Sequence, residues 1–133
     1  MNTELNLAVI DDDLIYHRVV KRLLQTCNYS GKLFTYKNGR EAYEAFSQNS
    51  DNPEALPHII LLDINMPVWD GWDFLNEYNK LSLSHKPVIY VVSSTTNPDE
   101  IKRATTYSCV RDFVEKPLNA GKIMEMIALQ GQR

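Results

Sequence analysis

The sequence holds only two cysteines among its 133 residues, Cys27 and Cys109, far apart and without the close spacing that zinc sites use. That offers no disulfide framework, and both read as reduced thiols in or near a core. Histidine is equally sparse. His17, His58 and His85 show no i, i+4 pairing that would mark a metal site or a base. Basic charge is also short: 14 Lys and Arg against 17 Asp and Glu leave a net charge of -3, no electrostatic footprint for nucleic acid. The pairs Lys21-Arg22 and Lys102-Arg103 read as solvated helix faces. No apolar run approaches the ~20 residues that span a bilayer, and the opening "MNTELNLAVIDDD" carries neither a basic stretch nor a cleavable apolar segment. The expectation is a cytoplasmic protein with no membrane partner. A chain of this length makes roughly one domain able to bury its own core.

What the sequence does hold is an alternation of short apolar runs with amphipathic stretches, the pattern of a parallel sheet flanked by helices. Strands are expected at 5–10, 32–37, 59–62, 87–92 and 110–117. The first helix, 14–27, carries Ile15, Val19 and Leu23 with Tyr16, Val20 and Leu24 beside them, and turns Arg18, Lys21 and Arg22 outward. A second helix reads as "GREAYEAFSQ", followed by the polar loop "NSDNPEALP". The third buries Phe74, Leu75, Tyr78 and Leu81. Asn97-Pro98-Asp99-Glu100 opens a fourth, 98–107, whose apolar face of Ile101, Ala104 and Tyr107 is thin enough to predict loose docking. Asn119 caps a fifth, with Ile123, Met124, Ile127 and Ala128 inward. Five strands and five helices use up the chain, so residues 1–133 are expected to be a single domain with no second unit.

The polar residues at the strand ends carry the functional signal. Asp11, Asp12 and Asp13 follow strand one, and Asp63 ends the apolar run "HIILLD". Ser93 and Ser94 follow strand four, and Lys116 follows strand five. A right-handed parallel βα fold brings all of these to one edge. Each has a bland explanation, as a cap, a turn or a solvated lysine, but four such coincidences at one edge are improbable accidents. Carboxylates converging on one point repel by several kcal/mol, so a cation belongs among them; oxygen ligands without Cys or His suit Mg²⁺. A carboxylate can be a nucleophile, and phosphoryl transfer is mostly positioning and charge. On this reading Asp63 attacks, Asp11 and Asp12 hold Mg²⁺, Lys116 pairs with phosphoryl oxygens and Ser93 donates a hydrogen bond.

The segments "VIDDD", "LLDINMPVWDGWDFL", "VVSS" and "DFVEKPL", in this order and spacing, resemble the receiver domain of two-component response regulators, in the stand-alone form typified by the bacterial chemotaxis regulator. The likeness runs over essentially the whole chain. It implies a flavodoxin-like, doubly wound α/β fold with five parallel strands in the order 2-1-3-4-5 and five helices, and no output domain. It also implies Asp63 as phosphoacceptor, Asp11 and Asp12 as the acidic pair, Asn65 as a metal ligand through its backbone carbonyl, and a cis bond between Lys116 and Pro117. Ser93 takes the switch hydroxyl position and Phe113 the aromatic switch position, so that phosphorylation reshapes the surface of helix four, strand five and helix five. One extra residue in strand four leaves Ser94 as the alternative to Ser93. The implied partners are a sensor histidine kinase or histidine phosphotransfer protein and an unidentified downstream protein; the implied state is a monomer or a weak, phosphorylation-dependent dimer. Trp69, Trp72, Tyr107 and Met126 are expected to be exposed for such a partner.

Three other readings compete. "VIDDDL" also fits the opening of haloacid-dehalogenase-type phosphatases, with Asp11 as nucleophile and Asp13 as acid, but this leaves Asp63 without a task and lacks an acidic pair after the lysine. A flavin mononucleotide site would need Gly, Ser or Thr amides where the first loop is acidic. A receiver-shaped module that only binds would not need the full polar set.

Overall fold

The computed structural model describes residues 5–131. Among these, five strands form one parallel sheet in the order β2-β1-β3-β4-β5, with β1 Leu7–Ile10, β2 Leu33–Tyr36, β3 Ile59–Leu62, β4 Val88–Ser93 and β5 Val110–Glu115. The helices α1 Leu14–Thr26, α2 Gly39–Gln48, α3 Gly71–Tyr78, α4 Pro98–Ala104 and α5 Ala120–Gly131 alternate with them. This is the doubly wound topology expected. The central strands β1 and β3 are wholly buried because helices cover both faces, so alternate residues feed separate cores. Ala8, Ile10, Ile60, Leu62, Ile89 and Val91 pack with α2, α3 and α4. Leu7, Val9, Ile59, Leu61, Tyr90 and Val92 pack with α1 and α5. β4 and β5 keep register except at Ile89/Tyr90, where Arg111 is skipped.

Caps set where the helices start. Asp13 accepts from the Ile15 and Tyr16 amides, and Asn38 from Glu41 N at 2.8 Å. Asp70 and Asp73 form a reciprocal capping box. Asn97 accepts from Asp99 N with Pro98 following it, and Asn119 from Lys122 N. The polar loop before β3 tightens into a 3-10 turn at Pro53–Ala55.

Several expected faces are rotated. In α1 only the stripe Tyr16, Val20, Leu24 is fully buried, whereas Ile15 and Val19 are 71% and 42% exposed. Two apolar stripes one residue apart lie about 100° apart on a helix, and this sheet covers one of them. In α5, Ile123 and Met126 are buried with Ile127 against the same core, while Met124 and Ala128 face outward. The i, i+3, i+4 spacing of Ile123, Met126 and Ile127 gives the narrower stripe. Met126 therefore does not belong to an exposed surface. Neither does Trp72, which is buried, while Trp69 and Tyr107 are half-buried.

α4 is shorter than expected and ends at Ala104, its one fully buried residue. Leu81 lies past the end of α3, half-buried against the core. Beyond α4, the Tyr107 ring stacks on Trp72 of α3 at 6.1 Å between centroids, and Arg103 lies over the Trp72 ring at 4.2 Å. The Tyr107 hydroxyl donates to Asn76 Oδ1 at 2.9 Å. Together these contacts fasten the far end of α4 to α3.

Candidate functional site

Main-chain bonds hold the strand-end residues at one edge of the sheet. Asp11 N donates to Tyr36 O, Asp63 N to Ile10 O and Lys116 N to Ser93 O, at 2.9 to 3.0 Å. Each residue just past a strand is thus tied to the neighbouring strand, and its side chain leaves the sheet at a fixed point. Asp11 and Asp63 are buried, at 1% and 8% exposure, and Asp12 is exposed. Carboxylate oxygens of Asp11, Asp12 and Asp63 lie within 4.8 Å of one another. Lys116 Nζ bonds Asp11 Oδ2 at 2.9 Å and stands 4.0 Å from Asp63 Oδ1. The Lys116–Pro117 bond is cis.

The charge balance here is incomplete. The Asp63 carboxyl is pushed up to about 6, first by burial and then by the Asp11 charge, with a smaller push from Asp12, against the opposing pull of Lys116 and of a hydrogen bond from the Ile64 amide. One ammonium does not offset three carboxylates. An all-oxygen cluster with excess negative charge is the donor set that suits a hard divalent cation.

The Asp70-Gly71 pair, where α3 begins, is also fixed by packing. A Cβ on Gly71 would meet Asp63 O at 2.7 Å and Ile64 Cα at 2.8 Å, and Gly71 N donates to Ile64 O at 2.8 Å. The first turn of α3 rests directly on the backbone of the acidic residue. Between them Val68 is held at φ 70°, a conformation that costs a β-branched residue roughly 1–3 kcal/mol. Val68→Asn is expected to raise stability by about 1 kcal/mol in urea melts, since Asn tolerates that region and Val68 is mostly exposed.

The remaining residues flank this centre. Ser93 is the last residue of β4 and is buried, its Oγ accepting from Thr95 N at 3.2 Å, whereas Ser94 is exposed. Phe113 pairs in register with Val91 and is half-buried against the α2–α4 core. Asn65 is exposed in the loop two residues past Asp63. Asp13, the acid of the phosphatase reading, is exposed and caps α1 through Oδ1, and the carboxylate cluster is made by Asp11, Asp12 and Asp63 instead. Tyr16, absent from the expected site, reaches it from α1: its ring lies against Lys116 Nζ at 4.3 Å from the centroid. Its place three residues past the Asp13 cap, on the inward stripe, was the available signal.

The model of the response regulator receiver domain matches residues 7–128. The chain belongs to this family. A protein-glutamate methylesterase/protein-glutamine glutaminase of Caldanaerobacter subterraneus is 31% identical over 88% of the receiver chain and 30% of its own length. A two-component response regulator of Arabidopsis thaliana is 27% identical over 93% of this chain and 82% of its own. The receiver chain spans about a third to a half of the length of several other curated relatives. In fold it is similar to a two-component response regulator from Cytophaga hutchinsonii, with a TM-score of 0.85, 21% identity and coverage of 98% and 100% of the two chains. Receivers are signalling switches, and no helix among the described residues is long and apolar enough to cross a membrane.

Proposed function

We propose that this receiver accepts a phosphoryl group on Asp63 and works as a cytoplasmic phosphorylation switch rather than as an enzyme acting on another substrate. The observation that carries this reading is Lys116 poised between Asp11 and Asp63 beside a three-carboxylate cluster. Asp63 supplies the attacking oxygen. A P–O bond forms to it as the P–N bond of a phosphohistidine breaks, and the leaving imidazole takes up a proton. Lys116 balances charge on the phosphoryl oxygens, and Ser93 exchanges its Thr95 contact for one to the phosphoryl group. Mg²⁺, held by Asp11, Asp12, Asp63 and the Asn65 backbone carbonyl, supplies further positive charge to those oxygens when bound. Withdrawal of Ser93 opens space for Phe113, and the surface of α4, β5 and α5 passes the change to a downstream protein.

The test is the intact mass after incubation with Mg²⁺ and acetyl phosphate, with and without a chelator, followed by mapping of the adduct. One Mg²⁺-dependent phosphoryl on Asp63 is expected. An adduct on Asp11 would favour the phosphatase reading instead, and no adduct with any donor would favour a module that only binds.

The donor is a histidine kinase or a histidine phosphotransfer protein. Such a partner must approach at the edge that carries Asp63, where Leu14 and Ile15 of α1 and Val68 are 56%, 71% and 68% exposed. Large apolar side chains so placed suit a protein surface. Ile15→Glu is therefore expected to slow transfer from the protein donor about tenfold or more while leaving uptake from acetyl phosphate unchanged. Equal losses with both donors would remove this face from docking.

A further inference from the structure

We propose that Tyr16 is a positioning residue for Lys116, its ring walling the ammonium into the one place from which it serves both Asp11 and Asp63. The inference rests on the phosphoacceptor reading for its consequence, though not for its geometry. Lys116 Nζ has a strong bond to Asp11 at 2.9 Å and a longer approach to Asp63 at 4.0 Å. A flexible four-carbon stem would let the head swing into solvent, and the lysine side chain is 21% exposed. The Tyr16 ring, 4.3 Å away and itself 9% exposed, meets it. A cation against a partly desolvated ring is held by the ring quadrupole as well as by shape.

The hydroxyl of the same residue argues that resting stability did not select it. Tyr16 OH is buried with no hydrogen-bond partner among the described residues, and burial and then the Asp11 and Asp63 charges push the phenol well above its usual range, so the ring stays neutral. A buried unpaired hydroxyl is destabilising, and phenylalanine would avoid it. What the site uses is a large ring fixed by the cap at Asp13 and by the inward stripe of α1, with Val20 and Leu24 behind it.

The test has two readouts. In unphosphorylated protein, proton NMR of the Lys116 side chain should show its terminal methylene shifted upfield by the Tyr16 ring current, retained in Tyr16→Phe and lost in Tyr16→Leu. In acetyl phosphate kinetics, Tyr16→Phe should keep the wild-type rate and melt higher. Tyr16→Leu should slow phosphorylation about tenfold, the rate equivalent of a partly desolvated cation–ring contact. In a Lys116→Gln background, Tyr16→Leu should add no further loss. An ordinary methylene shift in the wild type, or an equal loss with and without Lys116, would overturn the assignment. If the wild type shows the ring-current shift yet takes no phosphoryl on Asp63, the phosphoacceptor reading fails and the positioning of Lys116 stands.

Discussion

Asp63→Asn is expected to lose phosphoryl uptake altogether and, in metal-free buffer, to melt higher than the wild type. The first effect follows from removal of the attacking oxygen. The second follows from the raised Asp63 carboxyl, which burial and the Asp11 charge push up to about 6 in the folded protein from the ordinary carboxylate value of 3.8. Between those values the folded protein holds a proton that the unfolded chain has released, so wild-type stability falls as the pH rises through this window. Above it, a charged Asp63 remains buried beside Asp11. Asparagine removes that charge, so the gap in melting temperature should be absent below about pH 4 and complete above about pH 6.5. The difference in unfolding free energy behind it should be roughly 1–2 kcal/mol once the solvent reaching the carboxylate is allowed for. Adding Mg²⁺ should stabilise the wild type and narrow the gap. Identical melting of both proteins at pH 8 in chelator would show that the carboxylate is not under electrostatic stress.

Gly71→Ala should be the most damaging single methyl in this region. The clash atoms are backbone, Asp63 O and Ile64 Cα, and neither can rotate away. The cost is expected at the upper end of the roughly 1–3 kcal/mol typical of overpacking. The strain falls on the segment that aims Asp63, and a misplacement of about 1 Å can cost on the order of a hundredfold in rate. A sound measurement pairs urea unfolding with the rate of acetyl phosphate uptake in the surviving folded fraction. Slower uptake there, beyond the loss in stability, would show that α3 sets the aim of the nucleophile. An unchanged rate would show that Asp63 is held by its bond to Ile10 alone.

Much of the scaffold was legible because its signals are local. The strands β1 and β3 are unbroken apolar runs, and α2 has the expected bounds because Asn38 caps it and Asn49 ends it. The strand-end acids and Lys116 follow from the same logic, since a parallel sheet leaves its strand ends nowhere else to go. What escaped depends on distant packing. Whether α1 buries Tyr16 or Ile15, and α5 Met126 or Met124, is decided by the angle at which each helix meets the sheet, which no window of the sequence contains. Trp72 reads as a surface residue beside Asp70 and Asp73, yet Arg103 and Tyr107 arrive from another element to cover it. Gly71 carries no local packing signal because its tight neighbour, the Asp63 carbonyl, sits eight residues earlier in the chain.

The Trp72, Arg103 and Tyr107 stack gives α4 the mechanics of a door. Its hinge side is bolted to α3 by ring contacts and by the Tyr107 to Asn76 bond, while its latch side begins at Asn97, four residues from Ser93. Under the proposed switch, a displacement beside Ser93 would reach the near end of α4, which begins at Asn97, more than the far end held against α3. Proteins that read this receiver from the latch side would therefore sense its state strongly, and those that grip the hinge would hold it in either state alike.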